Sequence, residues 1–205
     1  RIKNDIFDFK LMPGERFTES EVAQAYEVSR TPIRQALYRL QQEGYVEVSF
    51  RSGWQVRPLN FRYYEELYDV RIVLEKDAIY KLSQQDCEQS SELARLKAIW
   101  MVEPQDYLND IKQLSQLDED FHCALVRAAG NNEMARIHLD LSEKIRIIRR
   151  LDFSKQYRIE ATYQEHQHIL KLIFEQKTEE AIAAIATHIQ QSRDEVKKIT
   201  LHMLD

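Results

Sequence analysis

The chain has 205 residues, 43% hydrophobic and 31% charged, which is enough apolar mass to bury a core in one or two domains, and no run approaches the roughly 18 apolar residues of a membrane span. Four glycines and four prolines argue against a loop-rich or all-β fold, and two cysteines, Cys87 and Cys123, are too few for a disulfide framework and fit reduced cytoplasmic thiols. The net charge of −5 argues against a uniformly basic surface. Residues 1–58, however, carry nine basic and eight acidic groups, net +1, whereas the remainder carries twenty and twenty-six, net −6, so the placement of arginine matters more than the total.

Arg1 to Phe9 reads as the end of a short helix without the apolar stretch of a secretory signal. Met12-Pro13-Gly14-Glu15 is a turn. Thr18 precedes Glu21 at the spacing of a capping box and opens a helix to about Tyr26. Ser29 caps the next helix, Pro32 falls in its first turn, where a missing N–H is tolerated, and Gly44 ends it. Residues 45–50 alternate at period two as a half-buried strand, Arg51-Ser52-Gly53 turns, and Trp54-Gln55-Val56-Arg57 returns. Pro58 closes this segment. Beyond a linker at 58–62 everything reads as helix, near 63–82, 86–101, 106–129, 132–152, 156–176 and 178–204, and short connections between six helices predict an antiparallel bundle. The expected architecture is therefore mainly α: a winged helix-turn-helix over 1–58 and an all-helical bundle over 59–205.

On the second helix of the helix-turn-helix, Ile33, Ala36, Leu37 and Leu40 recur at helical spacing and should face inward, leaving Arg30, Arg34 and Tyr38 on the outer face. An outward pair of arginines suits the major groove, because a guanidinium donates two parallel hydrogen bonds to guanine O6 and N7. Ser29 and Thr31 can donate to phosphates at the helix N-terminus. The blander alternative for two such arginines is a solvated charged face.

The wider pattern decides between them. Leu11-Met12-Pro13-Gly14, Glu19-Ser20-Glu21-Val22-Ala23, Val28-Ser29-Arg30-Thr31-Pro32-Ile33-Arg34-Gln35-Ala36-Leu37, Leu40-Gln41-Gln42-Glu43-Gly44-Tyr45-Val46 and Gly53-Trp54-Gln55-Val56 together resemble the GntR family of bacterial regulators over nearly all of 5–57. The resemblance implies that Arg30 and Arg34 read bases, that Gly53 at the wing tip approaches the minor groove, and that Ser29 and Thr31 hold phosphates. Two departures stand out: Ser20 replaces an arginine that contacts DNA in some members, and Gln35 replaces a more frequent glutamate that supports the second arginine.

In the helical half, Asp118 and His122 lie four apart on a stripe with Leu114, Leu125 and Ala129; His166 lies with Ile169, Leu170 and Ile173, and His188 with Ala181, Ala184 and Ile185. Polar groups on apolar stripes are costly unless something satisfies them. His166 and His188 are symmetric about residue 177, in the predicted turn Gln176-Lys177-Thr178, so an antiparallel hairpin sets them level. The four groups could then converge on one cation, and imidazole with carboxylate suits Zn²⁺, Ni²⁺, Mn²⁺ or Fe²⁺. Taken singly, each histidine is more readily a core residue bonded to a neighbour. Val70-Arg71-Ile72-Val73-Leu74-Glu75, Leu117-Asp118-Glu119-Asp120-Phe121-His122, Ala128-Ala129-Gly130-Asn131-Asn132, Glu165-His166 and Ala186-Thr187-His188-Ile189 resemble the FCD domain, the effector-binding domain of the FadR branch of GntR regulators. Metal-binding members supply one aspartate and three histidines at these positions, so the resemblance implies a site of Asp118, His122, His166 and His188. Six helices rather than seven point to the VanR subgroup.

Arg71, Arg146 and Arg149 are the candidate contacts to an anionic effector, with Arg150 beside them; an Arg71–Glu75 ion pair and a solvated arginine face are the alternatives. His138 and His202 show no partners, Cys123 lies about 100° around the helix from His122, and Asn131 and Asn132 read as caps. The expected function is a cytoplasmic, homodimeric, non-enzymatic regulator that binds operator DNA and responds to a small organic or sugar acid at a metal-containing site. Because ligands must be neutral imidazoles, metal affinity is expected to fall as pH drops through about 6. Two rival readings remain open: a metal-dependent enzyme fused to a DNA-binding module, and a regulator whose metal is purely structural. No general base stands out for the first, since Glu165 points about 100° from His166.

Overall fold

The computed structural model describes residues 1–49, 53–152 and 157–202, with side chains for all of these except 150–152, 157–158 and 199–202. The chain divides into two compact units, Arg1–Asn60 and Phe61–Asp205. Among the described residues no helix is long and apolar enough to cross a membrane.

In the first unit α1 (Ile2–Phe7), α2 (Glu19–Ala25) and α3 (Arg30–Gln42) enclose a core of Ile6, Phe7, Val22, Ile33, Leu37 and Leu40. The capping box at the start of α2 forms as the spacing predicts: Glu21 N donates to Thr18 Oγ1 and Thr18 N to Glu21 Oε2. Ser29 occupies the N-cap of α3 by backbone position, but its hydroxyl makes no capping hydrogen bond. Strands β2 (Val46–Ser49) and β3 (Gly53–Val56) pair antiparallel, Val46 opposite Val56. The predicted turn residues Arg51 and Ser52, and Phe50 before them, lie outside the described residues.

A third strand, β1 (Arg16–Phe17), pairs with β3 and gives the order β1-β3-β2. Two residues are too short to show a period, so only the preceding turn was legible. This strand explains one glycine. Gly53 has φ +82°, and a Cβ there would lie 3.0 Å from the Phe17 carbonyl oxygen, so the sheet alone demands glycine at this point.

The second unit contains α4 (Phe61–Leu82), α5 (Ser91–Trp100), α6 (Ile111–Ala128), α7 (Asn132–Asp152), α8 (Tyr157–Phe174) and α9 (Thr178–His202). Helix α4 packs along α9, α6 and α7, α8 pairs with α9, and α5 closes over α6 and α8. Two helices start later than expected. Asp86 caps only a 3-10 turn, Cys87–Gln89, and Ser90 then caps α5 by accepting from Leu93 N. Pro104–Asp106 is likewise a 3-10 turn, and Asp110 caps α6 by accepting from Gln113 N. The intervening segment is pinned by Tyr107, stacked on Tyr163 at 4.0 Å, and by Leu108 N donating to Tyr163 Oη at 3.1 Å. Asn131 caps the start of α7 by accepting from Met134 N.

Candidate functional site

The outer face of α3 carries what the periodicity demands. The Arg30, Arg34 and Tyr38 side chains are exposed, as are Ser29 and Thr31, while Ile33, Leu37 and Leu40 are buried and Ala36 is half-buried. Arg34 is held from α2: its Nε lies 3.0 and 3.1 Å from the two carboxylate oxygens of Glu19, and its Nη2 lies 2.9 Å from Oε2. Arg30 Nη2 approaches the same oxygen at 3.7 Å. The hydrogen bond from Arg34 is the largest influence on Glu19 and keeps its carboxyl ionised below the ordinary range.

The buried centre of the second unit joins α6, α8 and α9. Asp118, His122, His166 and His188 are all buried, and one donor atom from each lies within 4.8 Å of all the others. Helix geometry brings Asp118 and His122 together, and the α8–α9 hairpin brings the rings of His166 and His188 to 4.9 Å between centroids. Two ligands of one ion at about 2.1 Å cannot be more than about 4.2 Å apart, so the longest separation needs to shorten by only a fraction of an ångström.

The hydrogen bonds around the rings fix their tautomers. Glu75 on α4 accepts from His122 Nδ1 at 2.6 Å, from His138 Nε2 at 2.9 Å and from Arg71 Nε at 2.7 Å. Glu165 accepts from His188 Nδ1 at 2.7 Å. Burial pushes the Glu75 carboxyl up, but the Arg71 charge and the hydrogen bonds from His122 and His138 outweigh it and hold it well below the carboxylate range. Burial lowers all three site histidines. For His122 the Arg71 charge adds to this; for His166 the neighbouring rings and Arg149 do, taking it well below; His188 comes down to about 4 even against Glu165. The rings are therefore neutral at pH 7, and it is Arg71 rather than a charged His122 that sustains the Glu75 anion. With Nδ1 of both His122 and His188 donating to carboxylates, their Nε2 atoms carry lone pairs, and these face each other at 3.2 Å. His166 lies face to face with Phe121 at 3.8 Å and edge-on to Trp100 at 4.2 Å. Its Nε2 is 3.3 Å from Asp118 Oδ1, yet neither ring nitrogen has a hydrogen-bond partner. Arg149 on α7 donates through Nη2 to Asp118 Oδ2.

Two family models match this chain: bacterial regulatory proteins of the gntR family over residues 1–56, and the FCD domain over 66–191. The chain belongs to the GntR family, with a C-terminal FCD domain. It is a DNA-binding transcriptional regulator. The Nta operon transcriptional regulator of Aminobacter aminovorans is 31% identical over 191 residues, covering 93% of this chain and 89% of that protein. A Rhodococcus sp. RHA1 chain assigned as a GntR transcriptional regulator superposes with a TM-score of 0.74 at 20% identity, over 96% of this chain and 94% of that one. An FCD domain solved with Zn²⁺ bound shares the fold, with a TM-score of 0.56 at 21% identity over 68% of this chain and 95% of that one.

Sequence reasoning about this GntR regulator missed several partners. Glu19 and Glu165 were not assigned to Arg34 and His188, and Glu75 was matched only with Arg71, a pair that forms at 2.7 Å, and not with His122 or His138. His138, which showed no partner along the chain, bonds Glu75 from α7. The three arginines considered for an effector occupy different settings. Arg71 is buried against Glu75, and Arg146 makes a bidentate pair with Glu119 at 2.5 and 2.9 Å. Arg149 alone of the three bonds a member of the buried quartet. The Arg150 side chain lies outside the described residues. Cys123 is no part of the quartet; its thiol donates to Ser142 Oγ.

Proposed function

We propose that this GntR regulator acts in the cytoplasm as a homodimer on a two-fold symmetric operator, and that a small acid bound at a metal in its FCD domain modulates that binding. Arg30 and Arg34 read base edges, Ser29 and Thr31 hold phosphates, and Gly53 brings the wing close to the minor groove. Asp118, His122, His166 and His188 hold one divalent cation, Zn²⁺ in the first place, with Ni²⁺, Mn²⁺ or Fe²⁺ as alternatives. The six α-helices among the described residues of the second unit fit the VanR subgroup.

One observation carries the metal reading. Two neutral rings with Nδ1 already donating confront each other through Nε2 at 3.2 Å, beside a third ring with no hydrogen bond and a carboxylate. Facing lone pairs repel unless a cation lies between them, and metal-bound histidines characteristically donate their second nitrogen to a carboxylate. Bound there, the cation would offer its remaining positions to the carboxylate of an organic or sugar acid. Arg149 stands beside Asp118 to meet the same anion, whereas Arg71 and Arg146 would first have to leave Glu75 and Glu119.

The burial of all four groups also favours a closed structural site, the second reading. The test is elemental analysis of the purified full chain, then a thermal-shift screen of the Zn²⁺-loaded chain against small carboxylic acids, then operator release by any acid that stabilises it. Metal without any stabilising acid supports the structural reading. No metal after reloading with Zn²⁺ refutes both.

A further inference from the structure

The carboxylate that grips Arg34 lies outside every role assigned so far. Glu19 is the first residue of α2, and its side chain is only 16% exposed although it sits beside the helix face that meets DNA. It takes the Nε–Nη2 edge of Arg34 through three contacts of 2.9–3.1 Å and holds Arg30 at 3.7 Å with the same oxygen. The indole of Trp54 on β3 helps keep the Glu19 carboxyl low, and Trp54, itself buried, meets Tyr38 of α3 edge-on at 5.4 Å.

A guanidinium has two bidentate edges. With the Nε–Nη2 edge on Glu19, the terminal Nη1–Nη2 edge remains for guanine O6 and N7, so the grip and the base contact are compatible. A long flexible side chain held in one rotamer reads one position and loses less freedom on doing so. The same carboxylate is an anion close to the phosphate backbone, where it weakens binding to any sequence that gives Arg34 no partner.

We infer that Glu19 is a positioning residue for specificity: it aims Arg34, and alongside it Arg30, at base edges, and it penalises non-specific DNA. This rests on the reading of Arg34 as a base-contacting residue, and the experiment separates the two. The full chain and its Glu19→Gln, Glu19→Asp and Arg34→Ala variants each select duplexes from a randomised pool. Affinities for the best duplex and a scrambled one are then measured at one fixed salt concentration. Glu19→Gln should lower the ratio of the two affinities about tenfold, relax the same base position in each half-site that Arg34→Ala relaxes, and strengthen binding to the scrambled duplex about two- to threefold. Glu19→Asp keeps the charge but falls short by one methylene, so it should relax that position without the non-specific gain. If Arg34→Ala leaves every base preference intact, the reading of Arg34 fails. If Arg34→Ala relaxes one position while both Glu19 variants keep the ratio within twofold, or lose affinity evenly at all positions with a lower melting temperature, the inference about Glu19 is overturned and Arg34 stands.

Discussion

Substituting Glu75→Gln should unsettle the helical unit more than any surface change in it. Glu75 is fully buried and Arg71 is 1% exposed, so their 2.7 Å pair is hardly screened by solvent. Removing one partner of such a pair leaves an uncompensated buried charge and costs about 3–5 kcal/mol. The amide keeps one acceptor oxygen for three donors, from Arg71, His122 and His138, and points its own N–H groups at donors. His122 can yield only by moving its proton to Nε2, which removes a lone pair from the quartet. A loss of about 3 kcal/mol is a large part of the roughly 5–15 kcal/mol that holds a domain together. Urea unfolding of the chelator-treated chain, followed by tryptophan fluorescence, measures it. The chain has two tryptophans, one per unit, and Trp54→Phe leaves Trp100, whose ring lies 4.2 Å from His166, as the reporter. Adding Arg71→Met to Glu75→Gln removes the stranded charge and should recover a good part of the loss. A cost below about 1 kcal/mol, or a double variant no better than the single, would refute the claim that a buried charge pair organises this centre.

The metal-free chain should lose stability as pH falls from about 6.5 to about 4, because unfolded His188 takes a proton near 6.5 and folded His188 only near 4. That group alone accounts for roughly 3 kcal/mol. The groups facing it are Glu165 and His166 of α8, His122 and Asp118 of α6, and Arg71 of α4, and the lowered His122 and His166 act in the same direction. The urea midpoint should fall across this window and His188→Asn should flatten the fall; an unchanged midpoint contradicts it. The depressed values also carry the acid limit of metal binding below the pH of about 6 expected of free imidazole. Arg34→Ala should weaken operator binding by about 5- to 150-fold and relax one position per half-site, while Thr31→Ala weakens all duplexes alike; equal losses for Arg34→Ala on operator and random DNA would end the base-reading role. His166→Ala should abolish metal content while leaving affinity for random duplex unchanged, and retained stoichiometric metal would remove it from the ligand set. Light scattering should give twice the chain mass on intact operator; the mass of one chain there excludes the dimer.

How much of this was legible followed sequence distance. Arg30, Arg34 and the buried stripe of α3 share one helix, so spacing alone sorted them. Asp118 and His122 share one turn, and His166 and His188 are symmetric about a hairpin, so they too could be brought together on paper. Glu75 could not, because its partners His122 and His138 are 47 and 63 residues away and its sequence offered only an ordinary ion pair with Arg71. Glu19 meets Arg34 across the turn between two helices, 15 residues on, a pairing that no single-helix period displays. The late starts of α5 and α6 arose because a 3-10 turn precedes each: Asp86 caps only Cys87–Gln89 before Ser90 caps α5, and Pro104–Asp106, which no side chain caps, precedes Asp110 at the start of α6.

The slot around His166 has an evolutionary consequence. Two of its walls are Phe121 and Trp100, with Asp118, His122 and His188 at its other side, and no hydrogen bond ties the imidazole to the protein. An apolar side chain of similar size would therefore fit the slot better than histidine does once no ion is bound. A lineage released from the need for the cation gains stability by its first substitution at this one position, whereas altering His122 or His188 strands a carboxylate that must then be replaced as well. Loss of the centre should thus begin at His166, and descendants that keep Glu75 and Glu165 around two remaining histidines would mark chains that have abandoned metal without yet rebuilding the network.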